Sequence, residues 1–129
     1  MKYLKKYEEK SDMEMRIEIQ DLCGDCLSFI IDKGYNYGVI TRGNHIEIFI
    51  NHKDMVGGLI GDVITDIIPL YEILLRKYDV FYCGISYSIS NRELPDCHEV
   101  DKLLILSDEF IINYKDKYLS ELKIGIRKF

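Results

Sequence analysis

The chain has 129 residues, 47% of them hydrophobic and 30% charged, with two prolines and nine glycines, so it is long enough for one buried core and too apolar for a disordered tail. Seventeen Lys and Arg against 22 Asp and Glu leave a net charge of −5, which excludes a cationic field that would gather nucleic acid from a distance. Twenty isoleucines and no alanine or tryptophan point to an AT-rich coding sequence choosing among interchangeable apolar residues. The positively charged start has no apolar stretch behind it, and no window holds eighteen uninterrupted apolar residues. A cytoplasmic location with reduced thiols is therefore expected for Cys23, Cys26, Cys83 and Cys97, without membrane association.

Ser11-Asp12-Met13-Glu14 has the form of a capping box. Met15, Ile19, Leu22, Cys23, Cys26, Leu27 and Ile30 then recur at the spacing of one helical face, and Gly34 stands where a helix C-terminus wants it. This predicts a helix over 12–33. A competing pattern, the alternation of Met13, Met15, Ile17 and Ile19, would make the first turns extended.

Two runs, 35–41 and 45–51, are rich in aromatic and β-branched residues and flank Arg42-Gly43-Asn44, the chemistry of a hairpin turn. In the second run Ile46, Ile48 and Ile50 share one face, and His45, Glu47, Phe49 and Asn51 the other. Helical period returns over 58–78, with a kink or restart expected at Pro69. Residues 80–90 read as a strand carrying Phe81, Cys83, Ile85, Tyr87 and Ile89 on one side and Tyr82, Gly84, Ser86 and Ser88 on the other. The segment 91–101 reads as a polar loop, and Leu122, Ile124 and Ile126 alternate with charges as a final, half-buried strand does. A faint repeat at an offset of 45 residues pairs Ile19 with Ile64, Asp21 with Asp66, Tyr37 with Tyr82 and Ile40 with Ile85. Two helix-plus-hairpin halves in αββαββ order predict a single α+β domain, a two-layer sandwich with a mainly antiparallel sheet and both main helices on one face.

Three constellations carry chemical potential. Cys23-Gly24-Asp25-Cys26 has the spacing of thiol oxidoreductases and half-zinc sites, but the predicted helix puts it about three turns from the N-terminus that would activate a thiolate. The expected role is core, with Cys97 and His98 the remaining ligands if zinc binds. The thioredoxin arrangement would also need Pro69 opposite the thiols. Val56-Gly57-Gly58-Leu59-Ile60-Gly61-Asp62 precedes a helix and offers backbone donors, yet it lacks a P-loop Lys and is flanked by Asp54 and Asp62, so a loop needing unusual φ is the expected reading. Finally, Tyr37, Phe49 and Tyr82, with Arg42, His45 and Glu47 around them, would form an aromatic patch with a polar rim on the exposed sheet face. No pair of carboxylates and no Ser-His-Asp arrangement stands out, so no catalytic residue is assigned and a non-enzymatic role is expected.

The segments Ile19-Gln20-Asp21-Leu22-Cys23, Asp32-Lys33-Gly34-Tyr35, Ile46-Glu47-Ile48 and Asp62-Val63-Ile64-Thr65-Asp66-Ile67-Ile68 resemble a loose helix, hairpin, helix pattern in small accessory proteins of tailed bacteriophages, over residues 15–90. The resemblance transfers no catalytic residue. It implies a protein that binds and inhibits a host protein, CRISPR and other defence systems included, in the host cytoplasm. The alternative is a homodimeric sponge for a nucleotide signal, with Arg42 or Arg92 on the phosphate.

Overall fold

The computed structural model describes residues 12–54, 57–90 and 93–129. Helix α1 (Asp12–Asp32) leads into the hairpin β1 (Tyr35–Arg42) and β2 (His45–His52). A two-residue strand β3 (Gly58–Leu59) opens directly into α2 (Ile60–Lys77), which is followed by β4 (Asp79–Ser88) and β5 (Asp96–Glu99). A 3₁₀ turn (Leu104–Leu106), the short helix α3 (Asp108–Tyr114) and β6 (Tyr118–Arg127) complete the chain. All strand pairings are antiparallel, in the order β1-β2-β6-β4-β5, with β3 continuing the line of β2 along β6. This is the expected α+β sandwich.

The helical reading of residues 12–33 holds. Met15, Ile19, Cys23, Leu27 and Ile30 are buried, whereas Met13 and Ile17 of the competing alternation are exposed. Ser11 of the capping box lies outside the described residues. The hairpin turns on Gly43 at φ 57° with Asn44 at negative φ, the backbone signature of a type II′ turn, whose twist matches that of the flanking strands. Helix α2 continues through Pro69 without a restart. Pro69 and Thr65, whose carbonyl loses its helical partner to the proline ring, are both exposed, so the loss falls on the solvent side.

The polar segment 91–101 is not all loop, because Asp96–Glu99 pairs with β4 as an edge strand. All four of its residues are exposed, so their composition carries no strand signal. The final alternating run is the half-buried last strand expected, and it lies in the middle of the sheet. Its residues from Glu121 to Ile126 pair with β2 on one side and with β4 on the other. Leu122, Ile124 and Ile126 meet Ile46, Ile48 and Ile50 and the inner residues of β4 beneath the two long helices.

The junction of β3, β6 and the hairpin is locked by one buried hydroxyl. Tyr35 is fully buried; its Oη accepts from the Gly58 N–H at 2.9 Å and donates to the Leu119 carbonyl at 2.9 Å. Burial pushes this phenol up to about 12, so the donor is retained at neutral pH. The Gly57 backbone has φ 87°, and a Cβ there would overlap the Leu119 carbonyl, so only glycine closes this corner.

Removing the Tyr35 hydroxyl strands a part-buried donor and a buried acceptor together. Tyr35→Phe is therefore expected to lower stability by roughly 1–3 kcal/mol in urea unfolding without changing the fold.

Candidate functional site

Among the described residues, the helices cover one face of the sheet and none covers the other. Strand alternation sends His45, Glu47 and Phe49 of β2, Lys123 and Gly125 of β6, and Gly38, Ile40 and Arg42 of β1 to that open face. On β4 the alternation is broken. A β-bulge between Val80 and Tyr82 sets two residues against one on β6, and both Phe81 and Tyr82 come to flank Gly125 on the open side. Phe81, expected on the core side, is thereby moved to the surface, where it is 40% exposed. Ile89 falls beyond the strand and is exposed as well.

Glycines set the shape of this face. A Cβ at Gly38 would overlap the Phe49 ring, one at Gly84 the Tyr82 hydroxyl, and one at Gly125 would lie 3.0 Å from Phe81 Cζ. Three aromatic side chains therefore lie down over three glycines, Phe49 and Phe81 over those of neighbouring strands and Tyr82 over Gly84 of its own strand, giving a low aromatic surface. His45 meets Phe81 edge-on at 5.1 Å between ring centres, and the Arg127 guanidinium lies 4.8 Å from the Phe81 ring centre, a cation–π contact. The Tyr82 phenol is raised by burial first and then by Cys97 and Glu99, so it stays protonated and can donate.

The cations of the face have carboxylate partners. Arg42 Nε lies 3.0 Å from Glu47, Lys123 Nζ 3.5 Å from Glu121, and Arg127 Nε 2.6 Å from Asp79. Beside Arg127 a cleft of about 150 Å³ opens at the hairpin tip between Met15, Thr41, His45 and Lys128. That is below the roughly 300 Å³ at which small-molecule pockets begin.

Of the expected patch, the structure brings Phe49, Tyr82, His45 and Arg42 to one face. Tyr37 is not among them. It pairs with Ile50 on the helix side, and its hydroxyl reaches Gly24 of α1. Arg92 lies outside the described residues. Phe81, Lys123 and Arg127 belong to the face and were not expected there: Phe81 because a bulge leaves no mark in the hydrophobic pattern, and the two cations because the strand that carries them was not expected at the centre.

The other two constellations are accounted for within the fold. At the glycine-rich entry to α2 the Gly58 N–H goes to Tyr35, the Ile60 N–H to the Lys117 carbonyl at 2.9 Å and the Gly61 N–H to the Lys115 carbonyl at 3.0 Å, so these donors are taken. Cys23 is buried three turns inside α1. Its thiol is pushed up to about 12 by burial and secondarily by Cys26, and Cys26 is raised by burial and by Asp25. Both shifts oppose thiolate chemistry. The hypothetical zinc set of Cys23, Cys26, Cys97 and His98 is not assembled. Helix α1 packs on β1 while Cys97 and His98 ride on β5, at the far edge of the sheet and about 19 Å away at ordinary strand spacing. Pro69, the residue a thioredoxin-like site would need opposite the thiols, lies inside α2.

No protein-family model, curated protein or solved structure matches the chain. Among the described residues, no helix is long and apolar enough to cross a membrane.

The cysteines differ enough in exposure to be told apart chemically. Cys97 is expected to alkylate rapidly in the native protein and Cys26 slowly, with Cys23 and Cys83 reacting only on unfolding. Mass spectrometry of timed iodoacetamide labelling checks this order, and early modification of Cys23 would contradict it.

Proposed function

We propose that this protein is a non-enzymatic binding protein whose helix-free sheet face engages another protein, in the manner of a phage accessory protein that occludes a host component such as a defence system. The observation that carries this reading is the arrangement of Phe49, Phe81 and Tyr82 over Gly38, Gly125 and Gly84, with charges at the margin. A flat aromatic centre with a polar rim is what protein interfaces use, because aromatics give large contact area at little cost in side-chain freedom.

The charge pattern favours a protein over a phosphate-bearing ligand. Arg42, Lys123 and Arg127 are each opposed by a carboxylate, so the face offers alternating signs and no cationic field. A nucleotide would have to displace Glu47 or Asp79 before meeting an arginine. The inhibitory role and a phage source rest on the resemblance of residues 15–90. A host protein is accordingly the expected partner, bound without a metal or other cofactor.

The test is capture of a partner from bacterial lysate on the immobilised protein, followed by hydrogen exchange on the purified complex. Protection is expected over 45–49, 81–84 and 121–127, and Phe81→Ala should weaken capture at least about ten-fold, the loss typical of a central interface aromatic. Equal binding by the Phe81 variant, or a nucleotide-sized mass retained in native mass spectrometry, would overturn the reading.

A further inference from the structure

The two edges of the sheet differ. β5 is four residues long and carries Asp96 and Glu99, a short charged edge of the kind that discourages strand addition. β1 is eight residues long, has no proline, no lysine and no bulge, and carries one charge, Arg42 at its end, already held by Glu47. Among the described residues no strand pairs with its outer edge. Arg42 and His45 flank a two-residue turn and form a hydrogen-bonded pair, and the pattern alternates from there. Tyr35, Tyr37, Val39 and Thr41 consequently direct their N–H and C=O groups away from β2, toward the open side.

Helix α1 packs on β1 and has a second apolar stripe that the core does not use. At 100° per residue Met13, Ile17, Gly24 and Ile31 fall within a sector of about 40°. Met13, Ile17 and Ile31 are 71%, 51% and 46% exposed. The hydroxyl of Tyr37 lies 3.6 Å from where a Gly24 Cβ would be, which places this sector on the β1 side of the helix. The opposite flank of α1 is occupied by α2, through Glu18 with Tyr78 and Lys77, and through Lys33 with Asp66. An open strand edge and an apolar helix flank thus share one side of the molecule.

We propose that a second copy of the chain docks on this side about a two-fold axis, β1 against β1 and α1 against α1, both antiparallel. The pattern along α1 is self-complementary about Gly24. Residues equidistant from it and close to its azimuth face one another: Ile17 meets Ile31 of the second copy, and Gln20 meets Ser28, each contact occurring twice. Ser28 is small enough to let the helices approach, while Gly24 already has the Tyr37 hydroxyl of its own chain beside it. A helix separation of about 8–10 Å over a strand spacing of about 4.8 Å requires each helix axis to sit about 2 Å inward of its edge strand. An unrelated partner would have no reason to match a pattern that already matches itself. The product is a continuous sheet with two copies of the aromatic face on one side and four long helices on the other.

Sedimentation velocity on the full chain at micromolar concentration tests this, with a mass twice the 15.2 kDa protomer expected. Thr41→Pro removes an outward N–H that no bond among the described residues uses, at an exposed position of an edge strand, and should yield monomer. Ile17→Asp, an exposed change that spares the core, should weaken dimerisation roughly ten-fold, and adding Ile31→Lys should restore it. A monomeric wild type, a dimer indifferent to both single variants, or a double variant that stays dissociated would overturn the proposal. Phe81→Ala should leave the dimer mass unchanged, so the result stands apart from the fate of the open face.

Discussion

The central pairing of β6 is the constraint on which the rest of this structure depends. From Glu121 to Ile126 the strand is bonded on both sides, to the hairpin through β2 and to the second half of the chain through β4. Until it is in place the two halves have no shared sheet, and α1 and α2 have no common surface to bury. Its Leu122, Ile124 and Ile126 supply the middle of the core, and its Lys123 and Gly125 supply the middle of the open face. The Tyr35 hydroxyl pins the near end of the same strand to the hairpin and to β3.

One strand therefore links stability to surface. Gly125 contributes nothing to the core, but it gives Phe81 and Tyr82 room to lie on the sheet, and the β4 bulge delivers both residues to that room. Aromatics that already rest on backbone lose little further freedom on contact with a partner, which lowers the ordering cost of binding. The carboxylates opposite Arg42, Lys123 and Arg127 balance charge locally. Such a face selects by shape and pairing more than by long-range attraction. Two-fold joining along β1 would place two such faces on one side, doubling the contact available to a symmetric or repeated target.

Much of the architecture was legible because isoleucine marks the inward positions of the main elements, although Ile17, Ile31, Ile89 and Ile112 are exposed. Ile19 and Ile30 mark the buried stripe of α1, Ile46, Ile48 and Ile50 the inner face of β2, and Ile60, Ile64 and Ile67 that of α2. Where burial does not separate the residues, the reading fails. β5 has no buried residue and reads as loop. The aromatic face was half legible: Phe49 and His45 follow from the alternation of β2, but Phe81 required a bulge. Tyr37 failed because β1 carries a mixed pattern on both faces, and only its register with Ile50 decides the side. The central place of β6 is a long-range pairing that no local pattern encodes.

The most direct measurement is native-state hydrogen exchange at the amides of Lys123, Ile124 and Gly125. If β6 is the strand that closes the sheet and supports the open face, these amides exchange only through global unfolding, with protection equal to the full stability of the protein. Amides in β5 should then open at lower free energy. Exchange of the β6 amides by local opening, at or below the free energy of that edge, would contradict the account.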